Sequence, residues 1–482
     1  MGPARVADPT GTPPAATGRR AVSPGPRLRI PHRLVRVGLD AAYASLIVAL
    51  APWAAIRAAL DHKARARWFA YLRDVKSRFG SRLPRASDGP CVWVHGVSDG
   101  EVKSAARLVE SISAAIPGVE VIISATTDTG YRVARDRYPG RRVEFYPPDV
   151  SWIVARALDR LRPDLIVLVE SEFWPNFLAA VVERGIPVVL VNGRMSARSA
   201  SRFRRIVPLA RLIKGALTSV CAQLPIYAER FQSLGIPADR IAVTGNLKFD
   251  NVPLVEDRGR SDEYARLLGR ASANPPPLLV AGSTHPGEER ALARVIRTIR
   301  ASGRPLSAVV APRHPARADA AEHDLRREGL DVVRRTRLTG DEPPRPEAVV
   351  LLDSVGELEA VYSLADVVFV GGSLIRHGGQ SMMEPASLGK PVLVGPHIFN
   401  FRGEVDLLVS AAGIAVVADE QEMLLTLTRW LERPHEARAI GEAGRAAILA
   451  SKGATARTIE VLRPLLSRVA RVARVARGAP IS

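Results

Sequence analysis

Cysteine is almost missing from this chain of 482 residues: Cys91 and Cys221 are the two present. Two cysteines build no disulfide framework, and a reducing compartment is the simplest home for such a chain. Aromatic residues make up 5%, and no aromatic RNA-binding signature, zinc-finger spacing or long basic helix is present. The common nucleic-acid modules are thereby excluded. No two aspartates stand two positions apart, so the Asp-x-Asp metal motif of many sugar-nucleotide enzymes is missing, as are His-Glu-x-x-His, Cys-x-x-Cys and Walker sequences. The first apolar run begins past residue 33 without a clear small-residue cleavage site, and no secretory signal is expected. Acidic residues are in deficit, 49 against 68 Lys and Arg, for a formal charge of +19. Such a surface favours anionic partners, namely phosphorylated substrates and acidic lipid headgroups.

Hydrophobic residues make up 47% and charged residues 24%, so most of the chain is expected to be globular, with too many residues for a single core. Residues 1–33 are rich in Pro, Gly, Ala and Arg and are expected to be a disordered tail. Residues 34–62 read as a membrane-associating helix. Its centre, 41–56, carries no charge, and Arg36 and Asp40 precede it while Arg57, Lys63, Arg65 and Arg67 follow. That centre is short of the about 20 apolar residues a spanning helix needs. Tyr43, Trp53 and the flanking basic residues suit a helix at a membrane interface.

From Cys91 onward a rhythm of strand, glycine-bearing turn and helix takes over. Short runs rich in Val and Ile lie at 92–94, 119–124, 143–146, 165–169, 188–191, 217–221 and 241–244. After a break at 250–277 that ends in three prolines, runs resume at 278–281, 308–311, 332–333, 349–352, 367–370, 392–394 and 414–417, with terminal helices from about 420 to 476. Apolar runs of this length mark strands buried on both faces of a parallel sheet. The fold class is therefore α/β, with two Rossmann-like domains, 63–255 and 256–482, facing a cleft at the carboxyl ends of their strands.

Several strand ends carry candidate chemistry. Gly371-Gly372-Ser373-Leu374-Ile375-Arg376-His377-Gly378-Gly379 follows an apolar strand and leads to a helical stretch with Glu384. Glycine-rich turns ahead of a helix let amides close on a phosphate, and a carboxylate one turn in suits ribose hydroxyls. The loop does not fit Gly-x-Gly-x-x-Gly, which disfavours a nicotinamide site. Glu101 opens the helix after the first strand and is a candidate general base, provided that desolvation offsets the helix dipole. Glu170 and Glu172, after the strand 165–169, are placed to orient acceptor hydroxyls or brace the site. Ser283 and Thr284 are candidates to hold a phosphate, and Arg313 to pair with a phosphate or carboxylate.

The motifs Ser98-x-Gly100-Glu101, Glu170-Ser171-Glu172-Phe173-Trp174-Pro175-Asn176, Asn192-Gly193-Arg194-Met195-Ser196, Gly245-Asn246-Leu247-Lys248-Phe249-Asp250, Ser283-Thr284-His285, Pro312-Arg313-His314-Pro315-x-Arg317, Gly371-Gly372-Ser373-Leu374 and Gly395-Pro396-His397 with Asn400-Phe401 stand in a specific order. In this order the chain resembles the lipid A transferases of Kdo, 3-deoxy-D-manno-octulosonic acid, from about residue 34 to 466. The resemblance implies a GT-B fold at the cytoplasmic face of the inner membrane, with CMP-Kdo as donor and a lipid A precursor as acceptor. It implies inverting transfer with Glu101 as base, no metal and no cofactor. It also implies substrate contacts at Ser98, Gly100, Asn176, Arg194, Lys248, His285, His314, Gly378, Gly379, Gln380, Ser381 and Asn400 beside those named above. Two departures stand out. Asp99 replaces the usual small apolar residue and is expected either to raise the pKa of Glu101 or to disturb the site, and Gln380-Ser381 replace the usual His-Asn. Another GT-B enzyme, using a UDP-sugar or epimerising one, and a non-catalytic lipid-binding homologue are the alternative readings.

Overall fold

A computed structural model describes residues 89–252, 258–272, 274–338 and 343–476, with isolated positions between 38 and 87. The expected tail, 1–33, and most of 34–62 lie outside the described residues, although the described positions from 38 to 57 are helical. Among the described residues no helix is long and apolar enough to cross a membrane.

The first half is a seven-stranded parallel sheet. Its strands are β1 (Cys91–His95), β2 (Glu120–Ala125), β3 (Val143–Phe145), β4 (Leu165–Val169), β5 (Val188–Gly193), β6 (Leu217–Ala222) and β7 (Ile241–Val243). They lie in the order β3-β2-β1-β4-β5-β6-β7, with Val92 opposite Leu165. The second half repeats the plan with β8 (Leu278–Thr284), β9 (Ser307–Pro312), β10 (Val332–Arg334), β11 (Val349–Leu351), β12 (Val367–Val370), β13 (Val392–Val394) and β14 (Ala415–Val416), ordered β10-β11-β9-β8-β12-β13-β14. Every expected run forms a strand.

Strand alternation explains the two-sided burial. Trp93, Ile122, Ile166 and Leu168 face one side and pack with the helices Ser151–Leu161 and Pro175–Arg184. Val92, Val94, Ile123 and Val167 face the other, against Ala106–Ala115. At about 25 cal/mol per Å2 of apolar surface, this double burial is what holds each sheet. Strand order reverses between β1 and β4 in one half, and between β8 and β12 in the other. Those reversals leave crevices at the carboxyl ends of the strands, where the residues of the Glu101, Glu170, Ser283 and Gly371 motifs stand.

Two stretches behave differently from a simple division at residue 256. Phe249 and Val252, ahead of that point, already enter the second core, beside Tyr264 and Leu267 of the helix Arg258–Leu267 in the break at 250–277. The last helix, Ala454–Ala476, returns to the first half, where Ala454, Leu462, Leu466 and Val469 join its core. Its start is held by Asp250, whose carboxylate accepts from the N–H groups of Gly453 and Thr455, while Lys452 Nζ donates to Val252 O at 2.6 Å. Removing a side chain that caps a helix costs about 0.5–2 kcal/mol. Asp250→Ala is expected to lower unfolding free energy in urea by about 2 kcal/mol, and Asp250→Asn by less. Equal stability of Asp250→Ala and the parent chain would show that the crossover is not held there.

Candidate active site

Glu101 sits on the short helix Asp99–Ser104 that follows β1. Ser98 is the N-cap and Glu101 reaches back in a capping-box manner: its Oε2 accepts from Val97 N at 2.6 Å and its Oε1 from Ser98 Oγ at 3.1 Å. Hydrogen bonds of that kind, at a positive helix end, hold an exposed carboxyl low. Here the outcome is opposite. Burial pushes the Glu101 carboxyl up to about 7, against the Val97 N–H, with Glu170 and Glu172 adding to the rise. The desolvation that a base at this place requires is thus present. Asp99 is not the source of the rise, contrary to expectation. Its side chain turns outward to Lys103, 3.8 Å away.

Glu170 and Glu172 come from the turn after β4. Glu170 is buried with φ 67°, a left-handed conformation that a non-glycine residue adopts only when its surroundings enforce it. Its Oε2 pairs with Arg194 Nε at 2.8 Å, and Trp174 Nε1 donates to Glu172 Oε2 at 2.9 Å. Asn192 at φ 53° and Ser283 at φ 56° share the same strain at the ends of β5 and β8. Arg194 is itself half exposed.

In the second half the Gly371 turn is bound in an unforeseen way. Buried Glu288 accepts from four amides: His285 N at 2.9 Å, Gly372 N at 2.7 Å, and Ser373 N and Leu374 N at 3.0 Å. Gly379 N donates to Gly372 O at 2.7 Å. The amides of Gly372, Ser373, Leu374 and Gly379 are therefore satisfied within the protein and are not the open phosphate cradle expected from the sequence. Gly371 is required for this arrangement, because a Cβ there would stand 2.6 Å from Ser283 O and 2.8 Å from Glu288 Oε2. Gly378, at φ 108°, passes so close to Asn400 that a Cβ would meet Nδ2 at 2.2 Å.

Three further candidates turn to internal partners. Thr284 is buried, its Oγ1 donating to Glu289 Oε1 at 3.0 Å, and Arg317 Nη1 pairs with the same oxygen at 3.0 Å. Asn176 is buried, with its backbone N–H on Asp149 Oδ2 at 3.0 Å and its Nδ2 on Asp149 O and Asp40 Oδ1. Lys248 spans the two halves, its Nζ 3.0 Å from Glu404 Oε1 and over the Phe401 ring. Each long or amide side chain found a buried acceptor, and removing an ion from water without one is costly.

The remaining candidates cluster at the cleft edge. Arg313 and His314 are exposed just after β9. Buried His285 meets His377 ring to ring, with centroids 3.8 Å apart and the planes tilted by 33°, and its Nε2 lies 3.2 Å from Gln380 Nε2. Burial, then His377, lowers the His285 pKa to about 4, so the ring is neutral and Nε2 accepts from the Gln380 amide. Ser381 and Glu384 are half-buried, and Asn400 is exposed with its Nδ2 on His377 O. Burial raises the Glu384 carboxyl and Glu359 adds to this, while Lys103 of the first half and Arg313 oppose it. Glu384 thus senses the helix that carries Glu101 from across the cleft. Gly100 lies in that helix and Ser98 caps it.

A family model described as 3-Deoxy-D-manno-octulosonic-acid transferase (kdotransferase) matches residues 73–251. The 3-deoxy-D-manno-octulosonic acid transferase of Bordetella pertussis is 34% identical, across 84% of this chain and 94% of that protein. The transferase of the same name from Haemophilus influenzae is 31% identical, across 78% of this chain and 87% of that one. The chain belongs to this family of Kdo transferases. A UDP-GlcNAc 2-epimerase from Neisseria meningitidis shares the fold, with a TM-score of 0.52 at 14% identity over 78% of this chain and 100% of that one.

As a Kdo transferase the chain is a glycosyltransferase of lipopolysaccharide synthesis, built on two parallel-sheet halves of GT-B type. Sequence reasoning overlooked Lys103, Glu288, His377 and Asp149. Glu288 carried a readable signal, a first-turn glutamate between a strand-end Ser-Thr-His and an apolar helix face. Lys103 had none, because its neighbour Glu384 lies in the other half. Among the described residues no group of three or more His, Cys, Asp or Glu side chains is placed to hold a metal ion.

Two outcomes test this geometry. Glu288→Ala leaves buried amides without an acceptor, each worth about 1–3 kcal/mol; a loss of about 3 kcal/mol or more in urea unfolding is expected, and an unchanged midpoint would refute the nest. The Glu101 carboxyl, raised from an ordinary 4.5 to about 7, holds a proton in the fold that the unfolded chain releases. Its ionisation therefore costs stability as pH rises through that window. The Tm of Glu101→Gln relative to the parent should climb between about pH 4.5 and 7 and level off above; a flat difference would place Glu101 in water.

Proposed function

We propose that the cleft moves Kdo from CMP-Kdo to a hydroxyl of a lipid A precursor of the lipid IVA type, with inversion and without a metal. The single observation that carries this reading is the pairing, across one cleft, of a desolvated carboxyl of raised pKa, Glu101, with Glu384 and the cationic Arg313 of the other half. Glu101 takes the proton of the acceptor hydroxyl, whose oxygen then attacks the anomeric carbon of Kdo. The bond from that carbon to the phosphate oxygen breaks, and CMP departs with the electron pair. Arg313 supplies charge at the leaving phosphate, and Glu384 takes the ribose hydroxyls.

An anionic membrane surface, the cytoplasmic face of the inner membrane, is the proposed setting. The helix Ala197–Arg205 and its successor Val207–Ala216 contain six basic residues and no acidic one. Arg198, Ser201, Arg202, Arg205 and Ile206 line a concavity of about 540 Å3, beside Ile206 and Val207 that are 46% and 49% exposed. Basic residues at an anionic surface contribute about 1 kcal/mol each, and apolar side chains among them suit insertion between headgroups.

Purified protein given CMP-Kdo and a tetraacylated lipid A precursor is expected to add one or more Kdo units, with or without chelator. The rate should rise with pH through about 7, the Glu101 pKa. Glu101→Gln should lose roughly 10²–10⁴-fold in kcat and the ascending limb with it. CMP, rather than UDP, should raise the Tm. Full activity in Glu101→Gln removes the base, and dependence on an added divalent cation removes the metal-free mechanism.

A further inference from the structure

We propose that Asp40 and Tyr43, on the helical segment ahead of the first sheet, are positioning residues that set the loop 170–174 behind Glu101. The loop leads directly into the helix Pro175–Arg184, and how that helix begins decides where the loop lies. Two neighbouring helices lack a cap of their own. The N-cap residues Val150, for Ser151–Leu161, and Trp174, for Pro175–Arg184, make no side-chain capping bond. First-turn N–H groups need acceptors from elsewhere. Asp149 supplies them to the second helix, with Oδ2 on Asn176 N at 3.0 Å and Oδ1 on Phe177 N at 2.8 Å. Asp40 supplies them to the first, accepting from Ser151 N at 3.0 Å and from the Ser151 hydroxyl. The same Asp40 Oδ1 accepts from Asn176 Nδ2 at 3.1 Å, and Tyr43 hydrogen-bonds Asp149. One turn of the leading segment thus ties together the starts of both helices.

What those helix starts hold is the acidic wall of the site. Glu172 is fixed through Trp174, one residue before Pro175, and Glu170 keeps a left-handed backbone that needs support from outside. The charged groups that bear on Glu101 are then Glu170, paired with Arg194, and Glu172 from this loop, while Asp99 on its own helix turns outward to Lys103. A loop that drifts away from Glu101 takes two negative charges with it, so the base becomes more acidic. Asp40 and Tyr43 touch neither substrate nor base and act only through this chain of contacts.

The inference rests on Glu101 as the base, and the test separates the two. In the full chain, Asp40→Ala is expected to speed amide exchange at Asn176 and Phe177 about tenfold. It should also raise the acceptor KM roughly fivefold, leave the CMP-Kdo KM unchanged, and move the ascending limb of kcat/KM down by a few tenths of a pH unit. Asp40→Asn keeps an acceptor for Ser151 N and should recover most of the loss. Tyr43→Phe, a milder change, should give the same pattern at smaller amplitude and carries the test if Asp40→Ala does not fold. Unchanged exchange at Asn176 and Phe177, or KM values for both substrates rising together with a fixed pH limb, would overturn the proposal. An active Glu101→Gln would overturn the base while leaving the exchange result standing.

Discussion

Parallel pairing is the constraint on which this structure depends. Parallel strands send all their carboxyl ends to one edge, and a reversal of strand order opens that edge between β1 and β4, and again between β8 and β12. Apart from Glu384, which follows the loop after β12, the site residues stand close to strand ends. Glu101, Glu170, Arg313 and the Gly371 turn each follow a strand by a few residues, Ser283 stands at the end of β8, and their convergence is the consequence of two hydrophobic sheets buried on both faces.

Carboxylates on backbone amides recur throughout the molecule. Asp149 holds the start of one helix, Asp250 the start of another, and Glu288 a whole turn of amides. Glu101 uses the same bond, to Val97 N, but sits among other acids, and burial outweighs the N–H and the helix end. The distinction between a structural acid and a reactive one therefore lies in the balance of desolvation and neighbours rather than in the hydrogen bond itself. Lys248 with Glu404 also ties the halves together, while Asp250 anchors the returning last helix. The two halves thus meet through a specific ion pair, with Lys248 also over the Phe401 ring.

Strand periodicity was readable throughout, because a strand buried on both faces must be an unbroken apolar run. The place of Glu101 at the start of the helix after β1 was readable too, but its desolvation was not, since a first-turn glutamate in a capping box has the same local sequence. Thr284, Asn176 and the Gly372 amide were misread for one reason. A polar group at a strand end looks alike whether it faces a ligand or a buried partner, and the partners, Glu289, Asp149 with Asp40, and Glu288, were chosen by packing. Asp99 was misread because chain adjacency to Glu101 was taken for spatial facing, whereas a helix turns successive side chains by about 100°.

By itself the sequence determined the two α/β halves, the strands, the turns that need glycine, the surplus of positive charge and the family. Those properties follow from local periodicity and residue type, which need no partner to be expressed. Only the tertiary structure decided which carboxyl is desolvated, which amides are already spent, that the last helix returns to the first core, and that Asp40 reaches Ser151 and Asn176. These depend on contacts between residues far apart in the chain, where free energy is set by geometry that no local pattern encodes.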